Sequence, residues 1–421
     1  METYVITAPS LLRATVALPA SKSISNRALT ICALAGSSRL PDNLSDCDDT
    51  EVTVQAIATR QAASQQPVGT ASDSLQKVID IKAAGTAMRF MTALTAATPP
   101  GPGPATDYFL TGTERMKHRP ISILVDALRC LGAEISYAGE EGFPPLRIRG
   151  RQLEGGQIEM SGSTSSQYVS ALLLIGPVLE KGLTLRLTGQ IVSRTYIDLT
   201  LWTMREFGAD AEWTAVDTIR VKPGRYRQRP YLIENDWSAA SYWYEMVALT
   251  ADTGAEVRLQ GLTDGSKQGD SVVRYIFSLL GVKTTFDDTT PGTPTTVTLR
   301  KSGHRVHRME YDFTNAPDLA QTVVCTCCAM GVPFHFTGLQ TLKIKETDRI
   351  EALKCELGKL GFDLKDKDGC ELTWEGELHQ PSEKKTAILF KQKPIVRRFE
   401  VMEQSCRECR NRPVSMRTPF R

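Results

Sequence analysis

Histidine is scarce. Five are spread over 421 residues, at positions 118, 304, 307, 335 and 379, and they form no zinc-like cluster, so no metal site is expected. Cysteine is sparse and irregularly spaced, with ten in the chain, which excludes a small disulfide scaffold. Cys406-x-x-Cys409 has no second pair and no nearby His. Cys325, Cys327 and Cys328 sit in an Ala/Val/Thr-rich stretch that reads as a buried helix. Excess charge is missing too. Lys plus Arg is 50 and Asp plus Glu is 48, for a net charge of +2. That balance excludes a general nucleic-acid or membrane-surface binder, so any anion site must focus positive charge locally. The longest nearly unbroken apolar stretch, 168–179, falls short of the roughly 20 residues a bilayer span needs. The N-terminal METYVITAPS has no basic region followed by an apolar one, so no secretory signal is visible and a soluble, cytoplasmic protein is expected.

What is present is ordinary globular material, 41% apolar and 23% charged. At roughly 150 residues per domain, the length implies about two or three domains. A pattern recurs: an amphipathic helix ends in Leu/Phe-Gly and a strand-like segment follows. It occurs at 123–137, 198–213, 271–286 and 349–364, with apolar residues at three- and four-residue spacing. Gly132, Gly208, Gly281 and Gly361 each suit the left-handed position past a helix C-terminus. They are 76, 73 and 80 residues apart, which points to a duplicated α/β unit. Pro/Gly-rich stretches at 98–105 and 289–295 mark turns.

Seven segments place polar or cationic residues where a helix begins. In LPASKSISNRAL (18–29), Ser21, Lys22 and Ser23 precede an apolar helix expected near Ile24, with Arg27 close by. A helix N-terminus offers free N–H groups and the positive end of a dipole, and a lysine there deepens the anion site. The Gly-x-x-x-x-Gly of a P-loop is absent, so a nucleotide-hydrolysing role fails. In AAGTAMRFMTAL (83–94), Gly85 allows close approach of a ligand, and Arg89 sits one turn in. LTGTERMKHRPI (110–121) crowds Arg115, Lys117 and Arg119 into a loop. SGSTSSQYVSALLL (161–174) sets Ser163 to Gln167 before an apolar helix, as a phosphate cradle or a redundant N-cap. VSRTYIDLT (192–200) carries Ser193, Arg194 and Tyr196. NAPDLAQTV (315–323) carries Asp318 at a helix start, and LKIKETDRIEAL (342–353) carries Lys343, Lys345, Glu346, Asp348 and Arg349. Each alone fits a capped helix or a solvated face. Together they suit a shared cleft for small ligands with several negative charges, with one Asp and one Glu for proton transfer.

These motifs, with the NDWSAASYW segment around Asp236, occur in the order found in the 5-enolpyruvylshikimate-3-phosphate synthases, and the chain resembles that family from about residue 5 to about residue 365. The related UDP-N-acetylglucosamine enolpyruvyl transferases share that fold but lack the SKS and KETDR wording. The resemblance implies an α/β protein with the two-domain enolpyruvyl transferase-like fold, an inside-out α/β barrel built from repeated small α/β units. The domains would be residues 1–17 with 236–421, and 18–235. It implies transfer of the carboxyvinyl group of phosphoenolpyruvate to the 5-hydroxyl of shikimate 3-phosphate in chorismate and aromatic amino-acid biosynthesis. A cleft would close over both substrates, the protein would be a monomer, and no cofactor or metal is expected. By motif match, Lys22, Ser23, Arg27, Ser165, Ser166, Gln167, Ser193, Asp318 and Lys345 would hold shikimate 3-phosphate. Lys22, Gly85, Arg119, Gln167 and Arg349 would hold phosphoenolpyruvate. Asp318 would accept the 5-hydroxyl proton and Glu346 would help protonate the methylene carbon, with Lys22 also catalytic.

The chain departs from the family pattern in three places. Ala83 and Thr341 stand where the family commonly has Asn. After KPIVRRFE (393–400) the likeness ends. Residues 397–421 hold seven Arg and two Cys without apolar periodicity, where the family has an Asp-His-Arg-Met-Ala-Met motif and a late Lys. A frameshifted or truncated gene near residue 400 accounts for such an ending. The alternative function is then a catalytically impaired, shikimate-phosphate-binding homologue.

Overall fold

The computed structural model describes residues 10–64, 77–97, 107–290, 292–345 and 347–379. Glu346, the Cys406-x-x-Cys409 pair, the Pro/Gly-rich stretch at 98–105 and the ending from 397 lie outside the described residues. After strand β1 (Arg13–Ala17) come helices α1 (Lys22–Leu34) and α2 (Asp48–Ser64). A first unit follows: β2 (Lys77–Asp80), α3 (Gly85–Ala96), β3 (Asp107–Thr111), the single turn α4 (Glu114–Lys117), α5 (Ser122–Cys130), β4 (Glu134–Tyr137) and β5 (Leu146–Arg149). The second is β6 (Gly156–Ser161), α6 (Ser166–Ile175), β7 (Leu183–Thr188), α7 (Arg194–Glu206), β8 (Ala211–Trp213) and β9 (Thr218–Val221). The third consists of α8 (Trp237–Leu249), β10 (Glu256–Thr263), α9 (Val273–Ser278), β11 (Val282–Phe286) and β12 (Pro294–Lys301), and it takes β1 as its first strand. The fourth is β13 (Met309–Asp312), α10 (Ala320–Met330), β14 (Phe334–Thr337), α11 (Arg349–Lys359), β15 (Lys365–Lys367) and β16 (Glu371–Trp374).

All four units have one topology. The sheets run β2-β3-β5-β4, β6-β7-β9-β8, β1-β10-β12-β11 and β13-β14-β16-β15. In each, the first pair is parallel and the other two pairs are antiparallel. The parallel pair needs a crossover helix, and the closing hairpin does not. The recurring helix–Gly–strand junction is the step from the last helix of each unit into its third strand. Gly132, Gly208, Gly281 and Gly361 have φ of 98°, 85°, 84° and 91°. The duplication read from their spacing is therefore a duplication of βαβαββ units.

Burial follows the sequence. α3 has a single charge among twelve residues and is buried along its whole length, and eight of the ten residues of α6 are buried. α3 packs against α1, α2, α5 and α6, and α6 against α1, α3, α5 and α7. By contrast α5 buries only Leu124, Val125, Ala127 and Leu128, an outer helix with one apolar stripe. Cys327 and Cys328 are buried in α10, and burial pushes the thiols of Cys325 and Cys327 well above the ordinary range. The buried apolar side chains fall into two clusters. One runs from Ala20 to Ile233, and the other holds Leu18 and Trp237 to Trp374. The chain passes between them twice, and the two passages lie side by side. Ala20 pairs antiparallel with Asn235, Ser21 N donates to Glu234 O at 2.9 Å, and Asp236 N donates to Pro19 O at 2.9 Å. Among the described residues no helix is long and apolar enough to cross a membrane.

Candidate active site

Arg27 sets the alignment of the first lobe. It is 3% exposed, on the second turn of α1. Nε donates to Thr200 Oγ1 at 2.7 Å, Nη1 to Ser23 O at 2.9 Å, and Nη2 to Ser170 Oγ at 3.1 Å and Tyr196 O at 3.2 Å. Its guanidinium carbon also lies 5.7 Å from the Phe90 ring centre. Thr200, Ser170 and Phe90 are as deep in α7, α6 and α3 as Arg27 is in α1. One side chain therefore ties four helices at one level, and their N-termini open on the same side. Burial lowers the guanidinium to about 10, so it stays charged at neutral pH. It adds a fixed positive charge beneath four positive dipole ends.

The residues at those ends are the ones the motifs single out. α1 begins at Lys22, two residues earlier than the apolar pattern suggests, and Ser21 does not cap it; the Ser21 hydroxyl is buried without a hydrogen bond. Lys22 Nζ lies 3.4 Å from Asp49 Oδ2 of α2. Gly85 is the first residue of α3, and a Cβ there would come within 2.4 Å of Arg119 Nη1. The guanidinium of Arg119 thus lies on the bare backbone at that helix start. Arg89, one turn further, donates to Gly85 O at 3.1 Å and to Pro120 O at 3.3 Å, bracing the loop that carries Arg119. Ser165 is the N-cap of α6 and accepts from Gln167 N, Ser166 is its first residue, and Gln167 Nε2 donates to Thr86 Oγ1 at 3.2 Å across to α3. Ser193 precedes α7 with φ of 53°, a left-handed conformation unusual for a side chain other than glycine. That turn aims its N–H at the other lobe, where it reaches Thr314 O at 2.9 Å.

In the second lobe the motif residues meet at Asp318. It lies in the 3₁₀ turn Pro317–Leu319 that leads into α10. Its Oδ1 is 2.8 Å from Arg349 Nη1 and 3.2 Å from Lys345 Nζ, and its Oδ2 accepts from Tyr196 Oη at 2.9 Å. Arg349 opens α11, whose N-cap is Asp348, accepting from the backbone N–H of Ile350 and Glu351. Burial alone would raise the Asp318 carboxyl. Lys345 and Arg349 more than reverse this, with the Tyr196 hydrogen bond, and hold it below the usual carboxylate range. Asp236 caps α8 through Ala239 N. Burial pushes it up to about 6, against its backbone hydrogen bonds and the charge of Lys22, while the charge of Asp318 pushes it further up. Lys22, Asp236, Asp318, Lys345 and Arg349 are thus one electrostatic group drawn from both lobes. The buried Thr341 hydroxyl has no hydrogen-bond partner, at the position where the family pattern has Asn.

Two acids beside this group, Asp49 and Asp270, are marked by no sequence motif. Asp49 follows two other acidic residues in SDCDD and reads as a helix-start carboxylate. Asp270 and Ser238 face each other and Tyr196, with Tyr196 Oη 3.5 Å from Asp270 Oδ2 and Ser238 Oγ donating to that same oxygen. Asp270 lies in KQGDS, near Lys267 but with no hydroxyl run and no apolar helix start to mark it, and Ser238 lies in NDWSAAS two residues past Asp236. Only the fold shows that they face Asp318.

Comparisons with known proteins point to one family. The sequence model of EPSP synthase (3-phosphoshikimate 1-carboxyvinyltransferase) matches residues 6–387. A 3-phosphoshikimate 1-carboxyvinyltransferase of Bacteroides fragilis is 54% identical over 374 residues, 89% of this chain and 84% of that protein. One of Yersinia pestis is 34% identical over 379 residues, 87% of this chain and 84% of that protein. The solved EPSP synthase of Acinetobacter baumannii superposes with a TM-score of 0.66 at 20% identity, covering 88% of this chain and 83% of that one. That likeness establishes the two-domain enolpyruvyl transferase fold. The chain belongs to the EPSP synthase (3-phosphoshikimate 1-carboxyvinyltransferase) family.

Proposed function

We infer that the chain transfers the carboxyvinyl group of phosphoenolpyruvate to the 5-hydroxyl of shikimate 3-phosphate and releases inorganic phosphate, a step toward chorismate and the aromatic amino acids. The observation that carries this reading is Asp318, held between Lys345 and Arg349 where helix N-termini of both lobes meet. The named relatives support the choice of substrates.

The residue roles are proposals built on that placement. Lys22, Ser23, Ser165, Ser166, Gln167, Ser193 and Lys345 hold shikimate 3-phosphate, with Arg27 beneath them. Arg119 on Gly85, together with Arg349, Gln167 and Lys22, holds phosphoenolpyruvate. In the structure Lys345 and Arg349 are spent on Asp318. Two anionic substrates would draw those cations toward their own phosphate and carboxylate oxygens. Asp318 would lose the charges that depress its proton affinity and become the stronger base. It would then take the 5-hydroxyl proton as that oxygen bonds to C2 of phosphoenolpyruvate, while C3 gains a proton, the role assigned to Glu346. Loss of a proton from C3 and of phosphate from C2 restores the vinyl group. Fixed cations and helix dipoles stabilise the anions that shift charge during both steps.

The lobes are proposed to be residues 1–17 with 236–421, and 18–235, closing over the substrates in a cytoplasmic monomer. The deciding experiment is phosphate release with purified chain. It should require both substrates and should not occur when a nucleotide sugar replaces shikimate 3-phosphate. Binding of shikimate 3-phosphate with no phosphate release would instead identify an impaired homologue.

A further inference from the structure

Asp270 is a buried acid at the site for which the transfer scheme has no role. It lies in the 3₁₀ turn Gly269–Val272 and is 2% exposed. A Cβ on Gly269 would come within 2.4 Å of Thr195 Oγ1, so glycine lets this turn press against the first turn of α7. The position of Asp270 is therefore set by main-chain packing. Its Oδ2 accepts from Ser238 Oγ and stands 3.5 Å from Tyr196 Oη, and its Oδ1 is buried without a hydrogen-bond partner. The charged groups that face it are Asp318, Asp236 and Lys345. Arg349 and Lys22 act on it at one remove, through Asp318 and Asp236.

The proton count constrains this cluster. Tyr196 has one hydroxyl hydrogen and gives it to Asp318. Asp318 is paired with two cations and is ionised. The Tyr196 oxygen can then meet Asp270 only as an acceptor. Were Asp270 also ionised, two oxygens with no hydrogen between them would face each other in a buried site. A proton on Asp270 turns the same contact into a donor–acceptor pair. It also avoids a third buried negative charge beside two multiply negative substrates.

We propose that Asp270 is a positioning residue that works as a neutral carboxylic acid, holding Tyr196 on Asp318 so that Asp318 alone serves as the base. This rests on the transfer reaction inferred above. Burial first, and then the charge of Asp318, pushes the Asp270 carboxyl up to about 7, against the Ser238 hydrogen bond. Two carboxyls that share one environment hold a proton between them in this way. Raising the pH through neutrality ionises Asp270, turns Tyr196 away and sets a new negative charge against the substrates.

The test uses the full chain and two readouts. The first needs no turnover. Infrared difference spectra of wild type against Asp270→Asn at about pH 6 should show the C=O stretch of a protonated carboxyl, and titration through neutral pH should remove it. A wild-type spectrum without that difference band overturns the proposal. A chain that shows the band and releases no phosphate sinks the transferase reading instead. The second readout is kcat against pH. Asp270→Ala should lose about 100-fold in kcat with KM for phosphoenolpyruvate changed by less than about threefold. Asp270→Asn, neutral at every pH, should recover about tenfold of that loss and lack the decline above neutrality. Ser238→Ala removes the donor that lowers the Asp270 proton affinity. It should move the wild-type decline up by about one pH unit, which keeps the idea testable if neither Asp270 variant folds. A Ser238→Ala or Asp270→Asn profile that coincides with wild type rejects the positioning role.

Discussion

At the scale of single residues, the contact most open to a small change is Arg119 on Gly85. A methyl group at Gly85 would occupy the place of the Arg119 guanidinium, and the obstructing atoms belong to the tip of a flexible side chain. The protein should therefore fold with Gly85→Ala while Arg119 swings off the α3 N-terminus. The expected result is a KM for phosphoenolpyruvate raised about tenfold, which matches loss of one charge-assisted hydrogen bond of about 1.5 kcal/mol. KM for shikimate 3-phosphate should change by less than about twofold. Equal rises in both would place Arg119 elsewhere in the reaction. Lys22→Ala should abolish both binding and turnover, and unchanged turnover would reject the site as drawn. The residues legible beforehand are those whose chemistry is written locally. Lys22, Arg119, Lys345 and Arg349 stand as cations at helix starts or beside them, and Ser165 to Gln167 as a hydroxyl run. Tyr196, Asp236, Ser238 and Asp318 lie within the motifs that carry the family resemblance. Asp49 and Asp270 were not legible, because each matters through partners far away in sequence: 74 residues separate Asp270 from Tyr196. No spacing rule encodes such a contact.

Among the elements, the helix–Gly–strand junction is where pattern and structure agree most closely. Its period is local, since 3.6-residue amphipathicity and a left-handed glycine are both properties of one short segment. Sheet order was not legible, since the β3–β5 and β7–β9 pairings skip over at least one helix and one strand. The inserted lobe is a stronger case: β1 pairs with β10 across more than two hundred residues. The apolar period of α1 begins at Ile24, two residues inside the helix, because Lys22 and Ser23 are polar although their backbone is already helical. Two of the junction glycines separate conformational strain from crowding. A Cβ on Gly132 meets nothing within 4 Å, whereas one on Gly361 would come within 2.4 Å of His379 O. Gly132→Ala should cost about 1–2 kcal/mol, the strain of a left-handed alanine alone. Gly361→Ala must also move a backbone carbonyl and should cost about 1 kcal/mol more. Urea midpoints of the two variants measure the difference, and equal values would mean that the His379 segment yields freely.

Over the whole molecule, stability and closure rest on groups that bridge large parts of the fold. Glu245 is buried in α8 beside α10 at 3% exposure, and burial, opposed by a Thr326 hydrogen bond, pushes its carboxyl up to about 8. The folded chain thus holds this proton more tightly than the unfolded chain, whose ordinary value is 4.5. That contribution is complete below about 4.5 and is lost as pH rises through about 8. Glu245→Gln should flatten the fall in urea midpoint over this window, and a variant that falls as steeply as wild type would place the titration elsewhere. The two lobes also touch at the first turn of α7, where Ser193 N donates to Thr314 O and Thr195 Oγ1 donates to Asn315 O at 2.6 Å. Tyr196 on Asp318 belongs to the same turn. This turn therefore couples the position of one lobe to Asp318, the base proposed on the other. On the proposed site, substrates held by cations of both lobes would favour the arrangement in which these bonds are made, and a weaker bridge would lower the fraction of chain ready to bind. Thr195→Val keeps the shape and removes one bond of about 1 kcal/mol. Both KM values should then rise about fivefold together, with kcat at saturation nearly unchanged, because bound substrate restores the closed arrangement. A fall in kcat with constant KM would instead show that the turn acts on the chemical step through Tyr196. Unchanged values of both would mean that the lobes meet there without being coupled.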